Sequence, residues 1–145
     1  MYNTMSRHII LDLYRVVVLV LVFELRHRDH ITPALIQLHW LPIRWRIHYK
    51  LCTLMHTVHT RCCPPYLADN VSLTSHRQTR SGLQSADSTN HTTPRLRTKF
   101  CECAFSYAGP AAWNSLPADL RVIQETAAFR KRLKTHCFIL AFNTM

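Results

Sequence analysis

The sequence predicts a mainly α fold: a small irregular helical domain with a long polar loop, compatible with folding of only part of the chain. Three observations predict it. Apolar residues recur at steps of three and four from Ile43 to about Arg61 and again after Thr126, which is the period of one helix face. Seven prolines against two glycines punctuate the 145 residues, so breaks are set by ring clash and missing N–H groups more than by backbone freedom. Residues 69–98 replace hydrophobic residues with Ser, Thr, Asn, Gln and Arg, a composition that buries too little apolar surface to order itself.

Taken in order, residues 1–28 form an unassigned apolar leader. Its centre, Val16 to Phe23, is unbroken apolar sequence flanked by Asp12, Arg15 and Glu24. A bilayer span needs about 20 apolar residues, so this run is too short. As a signal peptide it is interrupted by Asp12 and Arg15, and no small-residue cleavage site follows. A buried Val-rich strand or helix fits β-branched sequence of this length better.

Residues 29–68 read as a helical segment. Thr32 is placed to cap a helix and Pro33 to occupy its first position. After Pro42, Ile47, Leu51, Leu54, Met55 and Val58 make one apolar stripe of a second helix, with Arg46, Lys50, Thr53, Thr57 and Arg61 opposite and Pro64-Pro65 as the stop. Residues 69–98 are the polar linker or loop. Residues 99–138 are a second helical segment: apolar pattern at Phe100, Ala104, Phe105 and Tyr107, a break at Gly109-Pro110, another at Pro117. A last helix capped by Thr126 then carries Phe129, Leu133, Cys137 and Leu140 at helical spacing, with Arg130, Lys131, Arg132 and Lys134 on its other face. Residues 139–145 are a tail.

Composition excludes several functions. Gly82 and Gly109 are the only glycines, so no G-x-G-x-x-G turn, Walker A loop or G-x-S-x-G elbow can be written. No two of the eight acidic residues lie within three positions of each other, so the clustered carboxylates of a two-metal site are missing. Six cysteines in 145 residues fall short of a disulfide scaffold, and reduced thiols are expected. The best metal pattern is His56-x-x-His59-x-x-Cys62-Cys63, because steps of three share a helix face and zinc takes N and S ligands. It matches no standard ligand spacing, Cys101-x-Cys103 is too tight for a knuckle, and the bland reading is partly buried side chains. No catalytic residue, metal or cofactor is expected.

The charge of +10, from 18 Lys and Arg against 8 Asp and Glu, points toward polyanions. Candidate nucleic-acid contacts fall on separate segments: Arg44, Arg46, Lys50 and Arg61 on the long central helix; Arg95, Arg97 and Lys99 after the polar loop; Arg130, Lys131, Arg132 and Lys134 on the last helix. Trp40, Trp45, Tyr49, Tyr66 and Trp113 lie near some of them as candidate stacking surfaces for unpaired bases, with ordinary core as their bland reading.

Certain blocks add a resemblance. Leu38-His39-Trp40-Leu41-Pro42-Ile43, Lys50-Leu51, Pro64-Pro65-Tyr66-Leu67 and Arg80-Ser81 occur in that order, followed by Phe105-Ser106-Tyr107-Ala108-Gly109-Pro110-Ala111-Ala112-Trp113-Asn114-Ser115-Leu116-Pro117 and Phe129-Arg130-Lys131-Arg132-Leu133-Lys134-Thr135-His136. This ordered set, spanning about residues 29–138, resembles the C-terminal region of non-LTR retrotransposon reverse transcriptases of the jockey-like and chicken-repeat-like groups. The resemblance implies a C-terminal extension beyond the polymerase thumb, helping to hold template RNA or target DNA. The family's Tyr/Phe-x-Asp-Asp motif has no counterpart here, since no Asp-Asp pair occurs. It therefore implies a catalytically inactive fragment of an RNA-directed DNA polymerase. Residues 1–28 lie outside the resemblance and suit translated flanking sequence, and His59-Thr60-Arg61-Cys62-Cys63 departs from the family's small or Gly-containing loop.

The resulting expectation is an intracellular protein, cytoplasmic or nuclear and not secreted, contacting RNA or DNA electrostatically and not spanning a membrane. The alternative is a small basic membrane-associated or interaction protein anchored by Val16–Phe23.

Overall fold

A computed structural model describes residues 17–18, 21–24, 26, 28–72, 90–95 and 97–143. Most of the polar loop, Arg80-Ser81, Gly82, the first 16 residues and part of the Val16–Phe23 run lie outside the described residues. The fold is mainly α, and among the described residues there is no strand. The chain divides into two compact units, Met1–Pro42 and Ile43–Met145.

In the first unit, helix α1 spans Thr32–Gln37. Thr32 is its first helical residue, not its cap: Ile31 holds that place without a side-chain hydrogen bond, and a proline stands in the first turn. The helix ends in a left-handed turn at His39, φ 49°. There the Trp40 N–H donates to Leu35 O at 2.9 Å and the His39 N–H to Ile36 O at 3.0 Å, the paired bonds that close a helix end when the next residue is left-handed.

The second unit begins with α2, Ile43–His59. Its end repeats the same device. Arg61 is left-handed at φ 57°, the Cys62 N–H reaches Thr57 O at 2.8 Å and the Arg61 N–H reaches Val58 O at 3.1 Å. The helix has therefore stopped before Pro64-Pro65, and Pro65 instead starts the short α3, Pro65–Ala68. In a chain with two glycines, His39 and Arg61 take positions that glycine usually fills.

A 3-10 helix, Lys99–Cys103, leads into α4, Phe105–Asn114. Helix α4 runs through Gly109-Pro110, where the sequence reads a break. Pro110 removes one donor, that for the Ser106 carbonyl, while its ring is itself fully buried. Gly109 matters for packing. A Cβ there would lie 2.9 Å from Met55 Sδ and 3.1 Å from Phe105 Cε2, so its absence lets α4 sit close against α2. Pro117 precedes α5, Ala118–Arg121.

Helix α6, Thr126–Phe142, is capped by the Glu125 carboxylate, which accepts from Ala127 N at 3.0 Å and Ala128 N at 2.8 Å, and not by Thr126. A carboxylate suits that end, where unpaired N–H groups concentrate positive potential. The helix continues through residues 139–142, read from sequence as tail. Phe129, Leu133 and Cys137 are buried as expected; Leu140 is exposed.

The core of this unit forms where α2 meets α4 and α6, with α5 also against α6. Met55, Trp113, Phe129 and Leu133 are its largest apolar members. The buried face of α2 differs from the expected stripe. Cys52, Met55 and His56 are inside, whereas Ile47 and Leu54 are 56% and 40% exposed. Inward and expected faces are centred about 110° apart around the helix. Specific bonds hold the inward one: His56 Nε2 donates to Ile123 O at 2.9 Å and the Cys52 thiol points to Ala112 O at 3.7 Å. All six cysteines are free thiols. Burial pushes Cys52 up to about 12, with Cys137 beside it adding to the effect, and burial pushes Cys137 up to about 11. Neither is a nucleophile at neutral pH.

Candidate nucleic-acid interface

Nucleic-acid backbone is held by cations free to reach solvent. On α2, Arg44 and Lys50 are exposed and Arg46 is half-buried; Arg61 is exposed beyond the helix end. On α6, Arg130, Lys131, Arg132 and Lys134 are all exposed. They follow from the register of that helix: with Phe129, Leu133 and Cys137 turned inward, the intervening positions 130–132 and 134 fan across the remaining surface. Arg95 and Arg97 are exposed in the stretch before the 3-10 helix.

The fold brings some of these groups together and separates others. Lys50 and Arg130, 80 positions apart in the numbering, line one groove of about 370 Å³ with Tyr49, Thr53 and Leu54. Lys131 and Arg132 instead line a groove of about 490 Å³ between α5 and α6, together with His136 and Asp119. Arg61 stands at a third pocket, with His59 and His91. The run from Arg130 to Arg132 is thus divided between two grooves, because successive helical residues point about 100° apart.

The aromatic candidates divide as well. Trp113 is wholly buried and cannot stack on a base from solvent. It contacts Phe129 with ring centroids 5.9 Å apart and His59 at 5.5 Å. Tyr66 is 65% exposed, Trp45 and Tyr49 are half-buried, and Tyr49 lies in the Lys50–Arg130 groove. Trp45 packs edge-on against His48 at 5.6 Å.

Three histidines are held away from their charged form by burial. The His48 imidazole is pushed below its ordinary range by burial, then by His136 and Arg44 nearby. His59 is lowered by burial and then by His56. His91 is pushed down to about 4 by burial and then by His59, with the Ser72 backbone opposing.

The metal pattern does not assemble. His56 is stacked on Phe129, centroids 4.2 Å apart, and bonds to Ile123 O, so it faces the core. Cys62 is exposed beyond the left-handed turn. Among the described residues no three His, Cys, Asp or Glu gather where they could hold a metal ion.

One element of this region is invisible in the sequence pattern. The Asn114 side chain clamps the backbone of His91, accepting from its N–H at 2.9 Å and donating to its carbonyl at 2.8 Å. Thr92 N–H meets Ser72 O at 2.8 Å, and the Arg121 guanidinium meets the Asn90 side chain. These bonds tie both described ends of the polar loop to the helical core. Only the polar type of Asn114, closing a largely apolar helix, hints at such a role.

No protein-family model, no curated protein and no solved structure matches this chain.

Proposed function

We propose that the chain is a non-catalytic, nucleic-acid-holding segment: the C-terminal extension of a non-LTR retrotransposon reverse transcriptase, binding RNA or DNA through its phosphates in the nucleus or cytoplasm. The family assignment rests on the ordered sequence blocks quoted above. The observation that carries the binding role is the convergence of exposed Lys50 and Arg130 on one groove beside Tyr49. Cations from separate helices facing one channel, with an aromatic ring at its wall, suit a single strand better than scattered surface charge does. The net charge of +10 supplies the long-range attraction.

Filter binding with single-stranded RNA against salt tests this. Affinity falls as salt rises, by about 0.7 log units per log unit of salt for each phosphate neutralised. The Lys50→Ala/Arg130→Ala pair lowers that slope by about 1 to 2 phosphates. Affinity indifferent to salt removes the proposal. With magnesium and a primed template the chain alone makes no cDNA, because it lacks paired aspartates; cDNA synthesis would overturn the non-catalytic part.

A membrane anchor is the competing reading. Val17, Leu21 and Val22 are exposed, which suits an apolar contact. No helix among the described residues is long and apolar enough to cross a membrane. Recovery of the protein in carbonate-washed membranes, and not with ribonucleoprotein, would favour the anchor.

A further inference from the structure

A hydroxyl follows an arginine or lysine by three positions at Thr53, Thr98 and Thr135, and the fold treats the three differently. Thr53 lies within α2 and Thr135 within α6. Each donates its hydroxyl to the carbonyl four residues earlier, to Tyr49 O at 2.8 Å and to Lys131 O at 3.2 Å, the usual arrangement of a threonine inside a helix. Thr98 stands outside every α-helix. Its backbone is extended, with φ −133° and ψ 147°, and the residue is exposed. Its hydroxyl donates to the Cys101 sulfur at 3.1 Å, a weak acceptor that gives it up at little cost.

The flanking residues narrow what Thr98 can meet. Arg95 precedes it by three positions and Arg97 by one, and both are exposed; Phe100, two positions beyond, is 87% exposed. Residues 92–95 belong to neither helix nor strand. The segment is fixed at both ends, by the Asn114 side chain on the His91 backbone and by the 3-10 helix against α4. An enzyme that phosphorylates a hydroxyl must bring it in line with the γ-phosphate of ATP while holding the flanking side chains apart. In an extended chain three residues span about 10 Å, enough for a carboxylate cluster to grip the Arg95 guanidinium away from the reacting hydroxyl. Along a helix the same step rises only about 4.5 Å, so Thr53 and Thr135 would have to unwind first. No acidic residue stands within three positions of Thr98, and Lys99 follows it where a proline-directed enzyme needs proline. Kinases and their substrates sort by such charge patterns, and this one fits an arginine-directed enzyme.

We infer that Thr98 is a phosphorylation site for an arginine-directed protein kinase, with Arg95 as the residue the kinase selects. Thr98 Oγ1 attacks the γ-phosphorus of ATP. The new O–P bond forms as the bond to the β,γ-bridging oxygen breaks, ADP leaves, and the hydroxyl proton passes to the catalytic base of the kinase. The product carries about 1.5 to 2 negative charges at neutral pH, beside Arg95 and Arg97, and offsets theirs. One consequence rests on the nucleic-acid reading above: phosphorylation removes this cationic segment from the surface that attracts RNA phosphates.

The test incubates the full chain with magnesium ATP and, in turn, the cAMP-dependent and the calcium- and lipid-dependent protein kinases, and maps the sites by peptide mass spectrometry. The expected result is phosphate on Thr98 and none on Thr53 or Thr135. Thr98→Val loses the label and Thr98→Ser keeps it. Arg95→Gln lowers kcat/KM for labelling by about tenfold or more, and Arg95→Lys recovers part of the loss. Both positions are exposed, so the thermal transition of each variant stays where it was. No phosphate on Thr98 from either kinase, phosphate chiefly on Thr53 or Thr135, or a rate indifferent to Arg95→Gln overturns the inference. Filter binding of the phosphorylated chain to single-stranded RNA tests the consequence. Its salt slope falls by about 0.7 to 1.4 log units per log unit of salt, the equivalent of one or two phosphates. Unchanged RNA affinity with Thr98 phosphorylated overturns the effect on binding and upholds the site. An unmodified chain that binds no RNA removes the nucleic-acid reading, while phosphate on Thr98 still upholds the site.

Discussion

Along α2, the face bearing Cys52, Met55 and His56 packs inside the domain, with His48 and His59 at its margins, while Ile43, Ile47 and Leu54 on another face remain exposed. By side-chain hydrophobicity the order should be reversed. It is not, because the polar inward groups have partners. His56 reaches a backbone carbonyl and stacks on Phe129, and Cys52 points to the carbonyl of Ala112. An imidazole bonded at one nitrogen and stacked on a ring, or a thiol beside a carbonyl, costs less to bury than one with no partner at all, although His56 Nδ1 is left without a bond. The apolar face stays exposed at Ile43, Ile47 and Leu54, and scattered surface aliphatic side chains are normal in folded domains. Stability should therefore be concentrated on the histidine side and nearly absent from the isoleucine side.

The largest test of that contrast is Trp113→Ala. The indole is wholly buried against His56, His59, His91 and Phe129, and its loss costs about 3–5 kcal/mol. For a domain this small, urea denaturation should show most or all of the cooperative transition gone. A loss under about 1 kcal/mol would mean that the histidine side is not the centre of the core.

Acid is the next largest lever. His91 is held at about 4 in the folded chain against 6.5 for the free group, so between those values the unfolded chain binds more protons. Stability is then fully present above about pH 6.5 and is lost as the pH falls toward 4, by on the order of 2–3 kcal/mol. His48 and His59, also lowered by burial, add in the same direction. Denaturation midpoints measured from pH 7.5 to 4 should fall in that window. In His91→Phe the fall should be visibly shallower, and an unchanged slope would acquit His91.

Gly109→Ala is smaller in effect. The added methyl meets Met55 Sδ at 2.9 Å in a packed interior, and such overpacking costs about 1–3 kcal/mol. Because the closest approach is to Met55, with Phe105 Cε2 next at 3.1 Å, Met55→Ala should make the second substitution cheaper, with a coupling above about 0.5 kcal/mol in a double-mutant cycle. Strict additivity would show that the close approach of α4 and α2 is not what the glycine permits.

At the small end stands Ile47→Gln. With Ile47 at 56% exposure, the midpoint should move by no more than about 0.5 kcal/mol. A loss well beyond that would mean that something covers this face in solution, and the contrast between the two sides of α2 would need redrawing.

Much of the local structure is legible in the residue order. The periods of α2 and α6 and the basic character of both helices follow from residue order, as do the burial of Phe129, Leu133 and Cys137 and the turn at Pro117. Helix ends were less legible. The stop of α2 lies in the left-handed conformation of Arg61, an arginine that carries no turn signal, and the cap of α6 lies in Glu125, a carboxylate reaching forward where a hydroxyl stood next to it. The candidate interface was legible as a set of cations and not as a site. Lys50 and Arg130 belong to different helices and meet only across a groove, while adjacent Arg130 and Lys131 face different ones.

What the sequence determined by itself, then, is the helical content, the excess of positive charge and the lack of paired carboxylates, because period and composition are local or additive properties. Tertiary structure decided which side of α2 is core, where the cations converge, and that His91 lies buried beside a pocket. Those depend on contacts such as Cys52 with Ala112, His56 with Ile123 and His91 with Asn114. Each joins residues far apart in the chain, and no local pattern encodes the distance across which they meet.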